Sequence, residues 1–183
     1  MVENIFESKW FVGQVEKEAD REYLSNGERI GEAVAIAASL LMVAFFAIHQ
    51  TRPTGFFTND SAAPLAYLVI VYGMVPSAVR MLLGRRNIAR PLEAIGMLIF
   101  LVVSVYLLVE FPFDMSRFAQ PLPHSMEFLL DWIPASLVKW VLGIGAAACA
   151  FFGPYTLMLY PAVKKVVPTA EEVKGPPKDA PSA

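Results

Sequence analysis

Charged side chains are scarce in this chain, and cysteine and histidine are nearly absent. Only 17% of its 183 residues are charged, whereas soluble domains have roughly a quarter. The single cysteine cannot form an internal disulfide, so the cysteine content does not identify the redox compartment. A formal net charge of −2 gives no basic footprint of the kind that nucleic-acid binding needs. We therefore predict no nucleic-acid partner.

The usual motifs of catalysis and cofactor binding are also missing. The chain has no nucleophile elbow, phosphate-binding loop, dinucleotide fingerprint or zinc-protease motif. Two histidines could hold haem iron only if they faced each other inside a helix bundle. His49 is expected at the outer end of a helix, but His124 lies between a proline and a serine in a loop. We predict no catalytic residues, no metal site and no cofactor, although missing motifs leave an enzymatic role open.

Long apolar segments, by contrast, are abundant. A helix needs about 20 apolar residues to cross the hydrocarbon core of a bilayer. A helix of a soluble bundle would instead show polar positions every three or four residues. The segments that fit the membrane pattern are residues 31–49, 63–83, 92–109 and 137–163. The sequence thus predicts an all-α integral membrane protein with four transmembrane helices in an antiparallel bundle.

Lysine and arginine are distributed unequally between the two predicted faces of the membrane. With four spans, both termini and the loop between spans two and three lie on the same face. Of the 15 basic residues, only Arg52, Arg117 and Lys139 fall on the other face. Because basic loops are retained in the cytoplasm, we predict cytoplasmic termini and a location in the plasma membrane. No early apolar segment of a signal peptide is present, so the first span is expected to act as the targeting signal.

Residues 1–24 are predicted to form an N-terminal amphipathic segment at the membrane interface. Val2, Ile5, Phe6 and Trp10 follow helical spacing and share one apolar face. Phe11 and Val15 do not fit this face. A turn at 25–27 is expected to separate this helix from the transmembrane domain, residues 25–163.

Two further segments are expected outside the bilayer. Residues 110–134 are rich in aromatic residues and proline, which favours an ordered external cap. Within the cap, a short helix is predicted before span four, with Ser125 as its N-cap. Residues 164–183 contain several prolines among lysines and glutamates, which predicts a flexible cytoplasmic tail.

Ionisable residues at membrane depth are candidates for function. Glu32, Arg80 and Glu93 lie at matching depth on the cytoplasmic side, and Arg80 and Glu93 flank the same tight hairpin. One hypothesis is a proton or ion relay at the inner mouth. The other, which we favour, is a salt bridge that fixes the packing of the hairpin, because none of the three residues lies near the bilayer midplane.

A second group of ionisable residues lies on the outer side, namely Glu110, Asp114, Arg117 and His124. Asp114 and Arg117 are three residues apart, so they can pair on one helical turn. These residues could form a binding lip for an external ligand or subunit. The preferred interpretation is an ion pair that orders the loop.

Small residues at four-residue spacing predict close contact between helices. The candidate packing positions are Gly31, Ala35 and Ser39 in span one, and Gly145, Cys149 and Gly153 in span four. They fit contacts within the bundle or with another protein.

These observations favour a non-catalytic membrane subunit or interaction protein. Its predicted partners are the lipid bilayer and either other membrane subunits or further copies of the chain. A small oligomeric transporter or channel is the first alternative, although few polar residues could line its path. The second alternative is a membrane-bound enzyme that uses Glu110, Asp114 and His124 at the outer face.

Overall fold

The computed structural model describes residues 8–52 and 54–167, which are helical apart from turns and two isolated β-bridges. The α-helices are α1 (Lys9–Asp20), α2 (Asn26–Thr51), α3 (Ala62–Leu83), α4 (Arg90–Glu110) and α5 (Ala135–Val166). Short 3-10 helices occupy Asn87–Ala89, Met115–Arg117 and His124–Leu129. Four helices, α2 to α5, are long and apolar enough to cross a membrane.

Each predicted span is found within one helix, and local signals set its ends. The α2 helix starts earlier than expected because Ser25 and Glu28 form a capping box, in which each side chain binds the other residue's backbone N–H. The predicted turn at 25–27 is therefore shorter, and Gly27 lies inside the helix. The α3 helix ends at Gly84, whose φ of 65° is in the left-handed region that glycine adopts without strain.

The α1 helix buries a different face from the one that its spacing suggested. Phe11 and Val15 are 3% and 6% exposed and pack against Leu159 and Val163 of α5, whereas Trp10 is 64% exposed. The prediction left Phe11 and Val15 off the apolar face, so it missed the side of α1 that packs against α5. The error arose because a hydrophobic period shows that two faces differ, but not which one finds a neighbour. Val2, Ile5 and Phe6 lie outside the described residues.

The four long helices pack in chain order. Helix α2 lies along α3, α3 along α4, and α4 along α5, and the α4–α5 contact is the most extensive. In the part of the chain that the structure describes, α2 and α5 share little or no direct packing. Their other faces expose large apolar side chains such as Leu41 (72%) and Phe151 (75%).

At one end of these helices, the segment between α1 and α2 pairs with the loop between α3 and α4. The backbone N–H of Leu24 donates to the Gly84 carbonyl at 2.9 Å, and that of Arg86 donates to the Glu22 carbonyl at 3.0 Å. Between them, Tyr23 and Arg85 form an antiparallel bridge. The loop therefore holds α1 beside the helix ends.

At the opposite end, the loop between α2 and α3 is joined to the predicted external cap. Phe57 and Phe113 form an antiparallel bridge, and the N–H of Asp114 donates to the Phe56 carbonyl at 2.8 Å. The predicted helix before span four is a 3-10 helix over His124–Leu129, and Pro123 rather than Ser125 occupies its N-cap position. A proline there fixes an extended backbone at the start of the turn.

The predicted tail begins later than expected. Helix α5 continues to Val166, so the first residues assigned to the tail are helical. The rest of that segment, residues 168–183, lies outside the described residues.

Candidate functional site

Arg80 joins three helices at the end of the bundle that carries α1. It lies in the last turn of α3, and its Nε and Nη2 donate to the two carboxylate oxygens of Glu32 in α2, at 2.6 and 3.0 Å. Its Nη1 forms a salt bridge with Glu93 in the first turn of α4. The side chains of the three residues are 18–23% exposed. The structure thus brings together all three members of the predicted cluster.

Two further ion pairs surround this cluster. Arg90, at the start of α4, donates from Nη2 to Glu18 of α1 at 2.6 Å. Arg86 of the α3–α4 loop pairs with Glu28 of α2. In the sequence, these two arginines contribute only to the unequal distribution of basic residues. Their partners come from α1 and α2, and no local spacing links such distant residues, so the pairs could not have been identified from the sequence.

These pairs line a cavity of about 400 Å³, which we call the charged cavity. Its ionisable lining residues are Glu18, Glu28, Glu32, Glu93, Arg80, Arg86 and Arg90. The charged cavity has four carboxylates and three guanidinium groups, so its formal charge is −1 when all are ionised. The excess carboxylate arises because Arg80 pairs with two glutamates. Within the described residues, the buried Nη1 of Arg90 has no hydrogen-bond acceptor.

Two apolar cavities continue from the charged cavity along the helices. The middle cavity, about 340 Å³, shares Arg80 and Glu93 with the charged cavity and reaches Cys149 of α5. The outer cavity, also about 340 Å³, shares Val69 and Phe100 with the middle one and ends beneath the external cap. The outer cavity is lined by residues of all four long helices, including both α2 and α5.

The outer ionisable residues separate into small local groups. Asp114 accepts from the N–H and hydroxyl of Ser116 at 3.1 and 2.6 Å and pairs with Arg117 at 3.0 Å. The hydroxyl hydrogen bond of Ser116 is the main cause that lowers the pKa of Asp114, and Arg117 adds to it. Arg117 also donates to the Thr54 carbonyl at 2.7 Å, so this pair ties the two external loops together.

The other two predicted lip residues are not part of that ion pair. His124 pairs with Glu127 at 2.8 Å, and this hydrogen bond raises the pKa of His124. Glu110 is the exposed last residue of α4. In the described part of the chain, no hydrogen bond or ion pair joins Asp114 or Arg117 to either residue. The arrangement orders the cap rather than presenting one convergent site.

His49 lies in an aromatic cluster under the cap. It is 3% exposed, its Nδ1 is 2.7 Å from the Thr54 hydroxyl, and its ring stacks on Phe56 at 4.5 Å between centroids. The described residues contain no group of three His, Cys, Asp or Glu side chains placed to hold a metal ion. His124 pairs with Glu127, so the two histidines do not form a facing pair.

The small residues of the two predicted packing faces have different surroundings. A Cβ atom at Gly145 would lie 2.8 Å from the Phe100 ring, and one at Gly153 would lie 3.6 Å from Met97 Cβ. The glycines of α5 therefore permit its close approach to α4, and Cys149 lines the middle cavity between them.

The α2 face contrasts with this. Nothing lies within 4 Å of a Cβ built at Gly31, and Ala35 is exposed. The Ser39 hydroxyl donates to the Ala35 carbonyl at 2.9 Å within the same helix. This face borders the charged cavity and the gap toward α5 instead of packing on another helix.

Comparison with models of known protein families, with curated proteins and with solved structures finds no match to this chain. Its function has to be inferred from the geometry of the site.

Proposed function

We propose that this chain is an integral protein of the cell membrane in which α2 to α5 cross the bilayer as an antiparallel bundle with cytoplasmic termini. We infer that it acts there as a non-catalytic subunit that binds another membrane protein. The observation that carries this proposal is the placement of charge. Charged side chains of the four long helices occur only near the helix ends, and Glu32, Arg80 and Glu93 among them are paired with one another.

Contacts between helix ends support the antiparallel arrangement. Tyr67, near the start of α3, donates to Gln50 at the end of α2 at 2.9 Å. Arg80, at the other end of α3, meets residues near the starts of α2 and α4. These contacts support opposite directions for α2 and α3 and for α3 and α4. An antiparallel bundle of four helices has both of its ends on the same side, which here is the basic one.

The same charge placement favours a subunit over a transporter. A relay or conduction path needs polar groups through the depth of the membrane. Apart from Arg80 and Glu93 at its inner end, the middle cavity is lined by apolar or small residues such as Val69, Met97 and Phe100. On this proposal, the ion pairs of Arg80 with Glu32 and Glu93 hold three helices together.

The surface that we expect to meet the partner lies on α5. Trp140, Ile144 and Phe151 follow helical spacing on one face and are 70%, 64% and 75% exposed. Large side chains in a continuous stripe can pack into grooves of a neighbouring helix. This stripe is the part of the chain that we expect to contact the partner.

The test is site-specific photocrosslinking in native membranes. A photoreactive amino acid replaces Ile144 or Phe151, and Leu41 of α2, which is 72% exposed, serves as the control position. We expect the two α5 positions to give one adduct of constant mass with a distinct protein, which mass spectrometry identifies. That protein should co-purify stoichiometrically in mild detergent, and the Leu41 position should give no such adduct.

Two results would overturn the subunit proposal. Adducts only with a second copy of the chain would favour a homo-oligomeric transporter or channel, to be followed by flux assays on Glu32→Gln and Glu93→Gln. Equal, diffuse labelling from all three positions would indicate a surface that meets only lipid.

A further inference from the structure

The charged, middle and outer cavities form one groove along the inner side of the helices. Neighbouring cavities share lining residues, and the groove opens toward the bilayer where α2 and α5 fail to pack against each other. Along α4 it extends from Glu93 to Leu107, which is about 21 Å at 1.5 Å per residue. The groove is therefore longer than the hydrocarbon part of one leaflet, which is about 15 Å, half of the hydrocarbon core.

The two ends of this groove differ in chemistry, as the two ends of an amphiphile do. The inner end contains the ion pairs of Arg80, Arg86 and Arg90. The outer end is lined almost wholly by apolar side chains, with Ser104 as an exception. A ligand that fills the groove therefore needs a polar headgroup at the cytoplasmic end and a hydrocarbon chain directed toward the external cap.

At the inner end, one buried hydrogen-bond donor lacks an acceptor among the described residues, and one carboxylate charge is not balanced by an arginine. Arg90 is only 5% exposed, yet its Nη1 finds no acceptor among the described residues, which is costly for a buried charged donor. Glu32 and Glu93 share one arginine, so one carboxylate charge is left uncompensated. An anionic oxygen would satisfy the guanidinium, and a cationic group would satisfy the carboxylate.

From these observations we propose that the groove binds a phospholipid with an ethanolamine-type headgroup. Its phosphate accepts hydrogen bonds from the arginines that line the charged cavity, and its ammonium group pairs with the Glu32 and Glu93 carboxylates that share Arg80. One acyl chain follows the middle and outer cavities. This inference requires the membrane location proposed above, but it does not require a protein partner.

The dimensions favour a lipid chain over a partner helix as the occupant. The three cavities measure 340–400 Å³ each, or about 1,080 Å³ together. A helix about 10 Å wide would need roughly 1,600 Å³ to follow the same 21 Å. An acyl chain is far thinner than a helix and can follow the groove past Val69 and Phe100, which line both the middle and the outer cavity.

The experiment is lipid binding by native mass spectrometry on the full chain, purified, delipidated and kept in detergent. Phosphatidylethanolamine, phosphatidylcholine and phosphatidylglycerol with identical acyl chains are titrated separately. We expect one phosphatidylethanolamine per chain, bound about tenfold more tightly than phosphatidylglycerol, a factor that corresponds to about 1.4 kcal/mol. Phosphatidylcholine should bind more weakly because its quaternary ammonium has no N–H to donate.

Matched variants locate the lipid. Ala35→Phe places a ring in the charged cavity and should abolish binding, whereas Ala37→Phe, on the exposed opposite face of α2, should retain it. Glu32→Gln removes the excess negative charge and should cancel the preference for phosphatidylethanolamine without preventing lipid binding. Gel filtration of each variant verifies that the protein is folded.

The proposal is overturned if the three lipids bind equally to the wild-type protein, if Ala35→Phe retains the lipid, or if Ala37→Phe loses it equally. Binding of phosphatidylglycerol alone would also overturn it, since that result would indicate an anion site. Because the assay uses purified chain, its result does not depend on whether photocrosslinking finds a partner protein.

Discussion

Arg80 shows how one side chain can decide the packing of three helices. Its guanidinium lies between Glu32 and Glu93, and all three side chains are largely removed from water. Removing the arginine would leave two carboxylates facing each other without a counter-charge. Such a change costs more than the bond itself, because the groups that remain are still desolvated.

We predict that Arg80→Gln lowers the free energy of unfolding by about 2 kcal/mol, less than the roughly 3–5 kcal/mol found for fully buried pairs, because these side chains remain about a fifth exposed. Thermal stability in detergent, followed by gel filtration, measures the loss. Arg29→Gln, at an exposed arginine with no ion pair among the described residues, is the control.

A second substitution tests whether repulsion between the two carboxylates causes this loss of stability. Adding Glu93→Gln to Arg80→Gln removes one of the two opposed carboxylates and should recover part of the stability. No recovery would mean that carboxylate repulsion does not explain the loss.

His124 provides a pH-dependent test of the external cap. The hydrogen bond and charge of Glu127 raise the pKa of His124 above its ordinary value of 6.5. A raised pKa in the folded state means that the contribution of this pair to stability is complete below pH 6.5 and is lost as pH rises through the folded-state pKa.

We predict that the NMR titration midpoint of His124 lies above 6.5 and returns toward 6.5 in Glu127→Gln. Asp131→Asn should shift it less, since the charge of Asp131 contributes least to the shift. A midpoint that does not respond to Glu127→Gln would show that the pair does not persist in solution.

At the level of the helices, glycine placement determines how closely α4 and α5 approach. Gly145 lies against the Phe100 ring, whereas a Cβ at Gly143 would meet only Leu108, at 4.0 Å. Both residues belong to the same turn of α5, so they share depth and helix propensity but differ in what they face.

We predict that Gly145→Val destabilises the protein by about 1–3 kcal/mol through overpacking, and that Gly143→Val changes stability by less. Thermal unfolding of both variants in one detergent is the measurement. Equal effects would mean that helix propensity, rather than contact with Phe100, sets the response.

For the whole molecule, the distribution of basic residues and the order of the helices lead to one orientation. The α3–α4 loop with Arg85 and Arg86 lies at the same end as α1, since the two are joined by backbone hydrogen bonds. The opposite end has Arg52, Arg117 and Lys139, and the Lys139 ammonium lies 4.4 Å from the centroid of the Phe111 ring. Under the positive-inside rule, the orientation that we propose has α1 in the cytoplasm.

We predict that a membrane-impermeant maleimide labels Asp60→Cys in intact cells, but labels Lys17→Cys only after permeabilisation. Both positions are exposed, and both variants carry Cys149→Ala to remove the native thiol. The reverse labelling pattern would overturn the proposed orientation while leaving the fold unchanged.

The sequence by itself determined the number, position and apolar character of the long helices. Hydrophobic length is a local property, and the capping residues at Ser25 and Gly84 are local too. It also suggested that Arg80 and Glu93 could meet, because a short loop leaves their helices adjacent.

Only the tertiary structure decided which surfaces meet. It selected Phe11 and Val15 as the buried side of α1, joined Glu18 to Arg90 across a separation that no sequence period encodes, and left a groove where α2 and α5 do not pack. The physical reason is that burial and ion pairing depend on neighbours from distant parts of the chain, whereas the pattern within one helix records only that its faces differ.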